Sequence, residues 1–430
     1  MSKTGKVLVL AYDFPPYPSI AGQRPASWLR YFKQLGVEPH VITRHWDVEI
    51  NSHIDCFRAS KNKTVHTEQT VIGTITRVPY YPNIRDRMLT GLGEQRFVFF
   101  RKAISFLLEI LKFHFFYFDN RSDIFHEARK ALQQNRYDAI IATGEPFILF
   151  RYASLLSKEF GIPWVADFRD GWSINRINPP KSFAEKLLMR HAHYLENKLI
   201  PLAELITTAS PSYKNDLQQL FPNKRVEVIY NGFDDDTLRA IPDIQQDKEI
   251  FRIAYAGTIY PFQHLESFLE GFRKFILNTN ARNVKIIFYG VEFYPEQVQR
   301  VLSFDSSLLP YLEMTGKLSY EKVLMNLKQA SVLLLLGAKN NNTLSAKIFD
   351  YLASERFILF VQNDHGVLQE IMQKSNGGAS CENADDVCAA LERSYSEHKL
   401  KGAVTQNPSG FKEYSRKHQA LRLVELLKSI

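Results

Sequence analysis

From the N-terminus to about residue 230, short apolar runs alternate with longer stretches whose apolar residues return every three or four positions. Residues 6–12 are rich in valine and leucine and end in a proline-rich loop at 14–18. Residues 25–35 have helical spacing, stop at Gly36, and lead to a second apolar run at 40–43. Further runs at 138–143, 164–168 and 205–210 each follow a helical stretch. Runs this short, separated by helical segments, predict strands buried on both faces of a parallel, doubly wound sheet. Right-handed crossovers then gather the C-terminal ends of the strands along one edge, where such sheets hold ligands.

Residues 226–231, Gly232 and the acidic run Asp234, Asp235, Asp236 look like the end of a first domain, and the polar stretch 237–249 like a linker. A second alternating series follows, with runs at 253–257, 284–290, 313–316, 332–337 and 357–361. The chain therefore reads as two Rossmann-like α/β domains, 1–236 and 250–408. A C-terminal helix within 409–430 is expected to pack back on the first domain. A length of 430 residues suits two domains and exceeds what one ordinary domain needs.

Composition changes this picture little. Lys plus Arg exceed Asp plus Glu by 54 to 46, a formal net charge of +8 with histidine neutral. That mild excess suits phosphate-bearing ligands or an anionic membrane surface. The basic residues are dispersed and match no nucleic-acid-binding motif, so nucleic acid is not an expected partner. The three cysteines, Cys56, Cys381 and Cys388, have no metal-binding spacing and fit unpaired thiols in a reducing compartment. The opening residues do not read as a signal peptide, and no apolar run approaches the roughly 20 residues that span a bilayer. A cytoplasmic location follows, with contact at the inner face of the membrane.

That contact is suggested by residues 96–118 (RFVFFRKAISFLLEILKFHFFYF), where aromatics are interspersed with Arg96, Arg101, Lys102 and Lys112. One reading is a buried helix pair beneath the first domain. The other is a patch that meets an anionic membrane or a lipid-linked acceptor.

The residues that carry chemistry sit at predicted strand ends. After the first strand come Asp13 and, further on, Gly22 and Arg24 near a helix start. Glycine permits close backbone approach, and free N–H groups at a helix start favour a diphosphate. The spacing is not GxGxxG, which gives a dinucleotide fold little support. Glu145 follows another strand end, and Arg169 and Asp170 follow the strand 164–168. In the second domain, Gly257 and Thr258 end the first strand, Gly316, Lys317 and Leu318 follow the third, and Lys347 opens a helix containing Asp350.

Five segments in order, DFPP…G…R near the start, PWVADFRDGW at 163–172, VIYNGFD at 228–234, AGTIY at 256–260 and SAKIFDYLASERFIL at 345–359, resemble bacterial glycosyltransferases of family 4. The resemblance spans nearly the whole chain and implies a GT-B fold, two Rossmann-like domains facing a cleft. It further implies transfer of a sugar from a nucleotide-sugar to a glycan or lipid-linked acceptor in surface polysaccharide synthesis, with retained anomeric configuration and without metal or other cofactor. On that basis Lys347, Arg24 and Asp170 are the candidate catalytic residues, Lys347 neutralising the departing nucleoside diphosphate. Gly257, Thr258, Gly316, Lys317, Leu318, Lys347 and Asp350 are candidate donor ligands, Asp350 for the ribose hydroxyls. Asp13, Gly22, Arg24, Glu145, Arg169 and Asp170 are expected on the acceptor side.

The sequence also departs from the family. Where many members carry two glutamates eight residues apart, Asn342 and Asp350 stand here. Residues 258–265 lack the usual Arg and Lys and offer only His264 as a possible cation. These departures leave Lys347 and Arg24 to carry the diphosphate charge. They also keep open a non-catalytic sugar-nucleotide or glycan binder, and the same architecture would serve a nucleotide-sugar epimerase.

Overall fold

The computed structural model describes every residue except 1–4, 18–19, 51, 175–179, 294 and 340–342. The chain folds as two compact α/β units, Met1–Tyr230 together with Gln419–Ile430, and Asn231–His418.

In the first unit the described strands are β1 (Gly5–Leu10), β2 (Val37–Arg44), β3 (His66–Thr70), β4 (Gly73–Val78), β5 (Ala139–Gly144), β6 (Trp164–Phe168), β7 (Leu205–Thr208) and β8 (Val226–Val228). Their order across the sheet is β3-β4-β2-β1-β5-β6-β7-β8. Every pairing is parallel except β3 with β4, a hairpin at the sheet's edge. Alternate residues of the central strands feed opposite layers, as the period of two requires. Leu8, Leu10, Ile140 and Ala142 face a core built with the helices Ser122–Gln134, Ile148–Phe160 and Phe183–Leu199. Val7, Val9, Ile141 and Val165 face the helix Ile20–Phe32 and the C-terminal residues Ala420, Leu423 and Val424.

The second unit contains β9 (Phe251–Ala256), β10 (Val284–Tyr289), β11 (Leu312–Met314), β12 (Val332–Leu336), β13 (Phe357–Val361) and β14 (Gly378–Cys381), ordered β11-β10-β9-β12-β13-β14 and all parallel. This is the doubly wound order in which the sheet reverses direction beside its first strand. The helices Leu265–Thr279 and Ala384–Lys401 pack together over one face, burying Phe268, Phe272 and Leu391 against Ile253 and Tyr255. At the edge of the sheet, β14 begins on Gly378, whose φ is +147° and where a Cβ would stand 2.1 Å from the Ile358 carbonyl oxygen. Only glycine fits there.

Several elements differ from the sequence expectation. The helix predicted over 25–35 runs from Ile20 to Phe32 and carries Pro25 within it. The hairpin β3–β4 and strand β14 have no apolar run to announce them; β3, HTEQT, is almost wholly exposed. A helix, Asp235–Ala240, runs across the expected boundary into the polar stretch read as a linker, its first turn capped by the Asp234 carboxylate accepting from the amides of Asp236 and Thr237. The buried-helix reading of 96–118 holds only towards its end, where Phe113 enters the core and Phe116 packs against it; the helix Val98–Leu111 contains no buried residue. Among the described residues no helix is long and apolar enough to cross a membrane.

Candidate functional site

In doubly wound sheets, ligands are held where neighbouring strands run off to opposite sides, at the carboxyl ends. In the second unit that point lies between β9 and β12. The chain leaving β9 turns at Gly257, with φ +86°, into Thr258. The helix Lys347–Ala353 follows β12 and brings Lys347 to the same place. Its Nζ donates to the Thr258 carbonyl at 2.9 Å and to the Tyr255 hydroxyl at 3.0 Å, and lies 4.7 Å from the Tyr255 ring centre. A Cβ on Gly257 would approach Lys347 Cε to 3.2 Å, so glycine makes the room that the lysine stem occupies. Part of the lysine stays open to solvent, yet no carboxylate pairs with it among the described residues. Desolvation without a counter-charge pulls its pKa down to about 7. An anion brought to Nζ would relieve that cost.

One turn along the same helix, Asp350 accepts a hydrogen bond from the Tyr320 hydroxyl at 2.6 Å. Burial pushes its carboxyl up to about 6, against the opposing pull of Arg416. Arg416 is itself paired with Asp234 at 3.2 Å and lies over the Tyr320 ring at 5.7 Å. These partners are far apart in the chain, and no local pattern marks them. The loop of Gly316, Lys317 and Leu318 leaves β11 and reaches Ser319, whose hydroxyl caps the helix Tyr320–Gln329. Lys317 is exposed there, and Glu292 approaches within 3.5 Å of where a Gly316 Cβ would stand. Asn342, the position of the absent first carboxylate, lies outside the described residues.

In the first unit the reversal lies between β1 and β5. Asp13 follows β1, Glu145 follows β5, and Arg169 and Asp170 follow β6. Arg169 ties these loops together. Its Nε donates to the Gly144 carbonyl at 2.8 Å, its Nη2 to the Glu145 carbonyl at 2.5 Å, and its Nη1 is 3.6 Å from the Asp13 carboxylate. At 3.6 Å the contact is an ion pair and no hydrogen bond is made, so Nη1 is a buried donor without a hydrogen-bond partner among the described residues. Desolvation and the nearby Asp170 charge push the Glu145 carboxyl up, with Arg169 opposing. Desolvation also raises Asp170. The result is a set of carboxylates around one cation with a hydrogen bond to spare, chemistry that suits a polyhydroxylated ligand.

Residues 25–237 match the model of Glycosyltransferase Family 4. This part of the chain resembles glycosyltransferase family 4. The GT-B fold extends over the rest. Sucrose-phosphate synthase from Thermosynechococcus elongatus matches with a TM-score of 0.60 at 12% identity, covering 99% of this chain and 98% of its own. A UDP-forming α,α-trehalose-phosphate synthase from Burkholderia vietnamiensis matches at 0.59 and 10% identity, over 99% and 100%. Anabaena Alr3699/HepE, solved in complex with UDP-glucose, matches at 0.59 and 13% identity, over 99% and 100%. No curated protein sequence matches the chain.

Two expectations for the first unit need correction. Arg24 is not a free cation at a helix start. It lies inside the helix Ile20–Phe32 with 2% of its side chain exposed, and its Nη2 is 2.6 Å from Asp167, whose side chain is fully buried. Nη1 donates to the Ile229 carbonyl at 2.5 Å, and Thr207 completes the pair by donating to Asp167 at 2.7 Å. Its charge is therefore spent inside the fold and cannot serve a diphosphate. Gly22 does allow close approach, but the approaching backbone is the chain's own, since a Cβ there would stand 3.1 Å from the Phe14 amide nitrogen. The sequence held a clue, an aspartate in the buried run WVADF, which demands a cation or donor.

Proposed function

We propose that the chain transfers a glycosyl group from a nucleotide-sugar to a glycan or lipid-linked acceptor, with donor groups in the second unit and acceptor groups in the first. The observation that carries this reading is Lys347, a partly desolvated cation with no carboxylate partner among the described residues, set with Gly257 and Thr258 at the sheet reversal. In the transfer, the bond from the sugar's anomeric carbon to the donor phosphate breaks and a bond to an acceptor hydroxyl oxygen forms. The acceptor proton passes to the departing phosphate oxygen on the same face, which retains configuration. Lys347 stabilises charge developing on that phosphate. Asp350 accepts from the ribose hydroxyls, and the Gly316-Lys317-Leu318 backbone brackets the base. Arg169, through Nη1, and Asp170, Glu145 and Asp13 orient the acceptor.

The reading needs no metal: the first-unit loop Asp13-Phe14-Pro15 lacks the paired aspartates that hold a metal-bound diphosphate. It places the protein in the cytoplasm, at the inner face of an anionic membrane, in the synthesis of a surface polysaccharide. A calorimetric and thermal-shift screen against UDP-, ADP-, GDP-, dTDP- and CMP-sugars tests it. Saturable binding of one class, followed by acceptor-dependent release of its nucleotide, is the expected result. No binding of any class overturns the reading.

A further inference from the structure

Two helices of the first unit present an apolar surface that the fold leaves uncovered. The residues 98–118 run alongside the helix Phe183–Leu199 in the same direction. The Glu185 carboxyl is held below its usual range chiefly by the Ser182 and Lys181 amides, with a smaller pull from Lys102 across the pair, and His114 Nε2 stands 3.5 Å from His191 Nε2. The two helices pack on each other, so their outer faces form one surface. At the rise of an α-helix, the helix Val98–Leu111 alone makes it about 20 Å long.

The large aromatics on this surface point outward. Phe99 is 79% exposed, Tyr117 92% and Phe183 80%, and Phe97, Phe100 and Phe115 are each more than half exposed. Arg96, Lys102, Lys181, Lys186 and Arg190, also exposed, stand among them. The acidic residues in the same stretch are largely engaged: Glu109 pairs with Lys112 at 2.6 Å, and Glu185 closes the capping box of its own helix. An exposed apolar patch with a basic border is what an anionic lipid surface recognises, the rings entering the headgroup region and the basic residues meeting lipid phosphates. A second copy of the chain would bring like charges together at this border.

We infer that the helices Val98–Leu111 and Phe183–Leu199, together with the short turn Phe116–Phe118, form a single membrane-docking face, with Phe99, Phe100, Tyr117 and Phe183 as its inserting side chains. This deepens the membrane part of the function proposed above. It adds the second helix, which the sequence of 96–118 does not reveal, and makes docking peripheral and reversible.

Co-sedimentation of the full chain with phosphatidylcholine vesicles, with and without about 30 mol % phosphatidylglycerol, tests it. The wild type is expected to bind the anionic vesicles, less so as salt rises. Phe99→Ser with Phe100→Ser, and separately Phe183→Ser, are expected to lower partitioning by about tenfold per aromatic removed. Unchanged melting temperatures would show that these variants remain folded. No wild-type partitioning, or unaltered partitioning of the variants, overturns the inference. So does sedimentation velocity showing a wild-type dimer that the same substitutions convert to monomer. Nucleotide-sugar binding, measured on the same preparations, separates the two readings: vesicle binding without it sinks the proposed function and leaves the docking face standing.

Discussion

Replacing Lys347 by methionine keeps most of the apolar stem that packs beside Gly257 and removes the charge. The two oxygens it contacts do not lose their only partner, because the Tyr255 hydroxyl donates to the Thr258 carbonyl at 2.7 Å. The substitution also removes a desolvated cation that no carboxylate among the described residues offsets, so the melting temperature is expected to hold or rise slightly. The donor fares differently. A charge-assisted hydrogen bond to phosphate contributes about 1.5–3 kcal/mol. Its loss weakens nucleotide-sugar binding by about 10- to 150-fold. Calorimetry measures this directly on the nucleotide-sugar that the wild type binds best, and kcat/KM for transfer should fall by at least as much if the lysine acts more strongly on the departing diphosphate. A dissociation constant within about twofold of wild type, in a variant with an unchanged melting temperature, would refute the placement of the diphosphate at Lys347.

Donor affinity should also be confined to a narrow pH range. Lys347 is cationic only below about 7 and Asp350 anionic only above about 6, so affinity should peak between them. Lys347→Met should flatten the alkaline limb and Asp350→Asn the acid limb; a steady rise of affinity through pH 8 would count against both roles. The same lysine gives a stability signature. With its folded pKa below its unfolded value, the unfolded chain binds the extra proton from about pH 7 to 10.5. Stability should therefore rise with pH across that window in wild type, and rise less in Lys347→Met, as urea denaturation will show. Arg24→Met strands the buried Asp167 and is expected to cost about 3–5 kcal/mol in the same assay, much of it recovered by adding Asp167→Leu. Gly257→Ala places a side chain at φ +86° and 3.2 Å from Lys347 Cε, so it should lower stability by about 1–3 kcal/mol and weaken donor binding together.

The central strands were legible because they are buried on both faces. Trp164–Phe168 and Phe357–Val361 appear at their full extents from apolar runs alone. The edge was not legible: β3 is polar on both sides, and β14 is built from Gly, Ala, Ser and Cys, so neither offers a hydrophobic period to read. Among the candidate site residues, proximity to strand ends was the useful signal. It placed Gly257, Thr258 and Lys347 together, and gathered Asp13, Glu145, Arg169 and Asp170. It failed for Arg24, because Asp167, with which it pairs, lies 143 positions away. Likewise, Tyr320, Asp234 and Arg416 surround Asp350 through tertiary packing that local sequence does not encode. The aromatic density of 96–118 was plain, but its direction was ambiguous. A helix apolar all round normally reads as buried.

The placement of the last residues bears on how the protein is made. Ala420, Leu423 and Val424 complete a core layer whose other members, among them Val7, Val9 and Ile141, are made before the second unit. Until residues 420–424 have been made, that layer of the first sheet has only part of its cover, with the helix Ile20–Phe32 present and Ala420, Leu423 and Val424 absent, while the second unit, encoded between the two parts, is already made. The unit begun first is therefore the one finished last. A nascent chain stalled before residue 419 would hold apolar surface exposed and would be a natural client for chaperones.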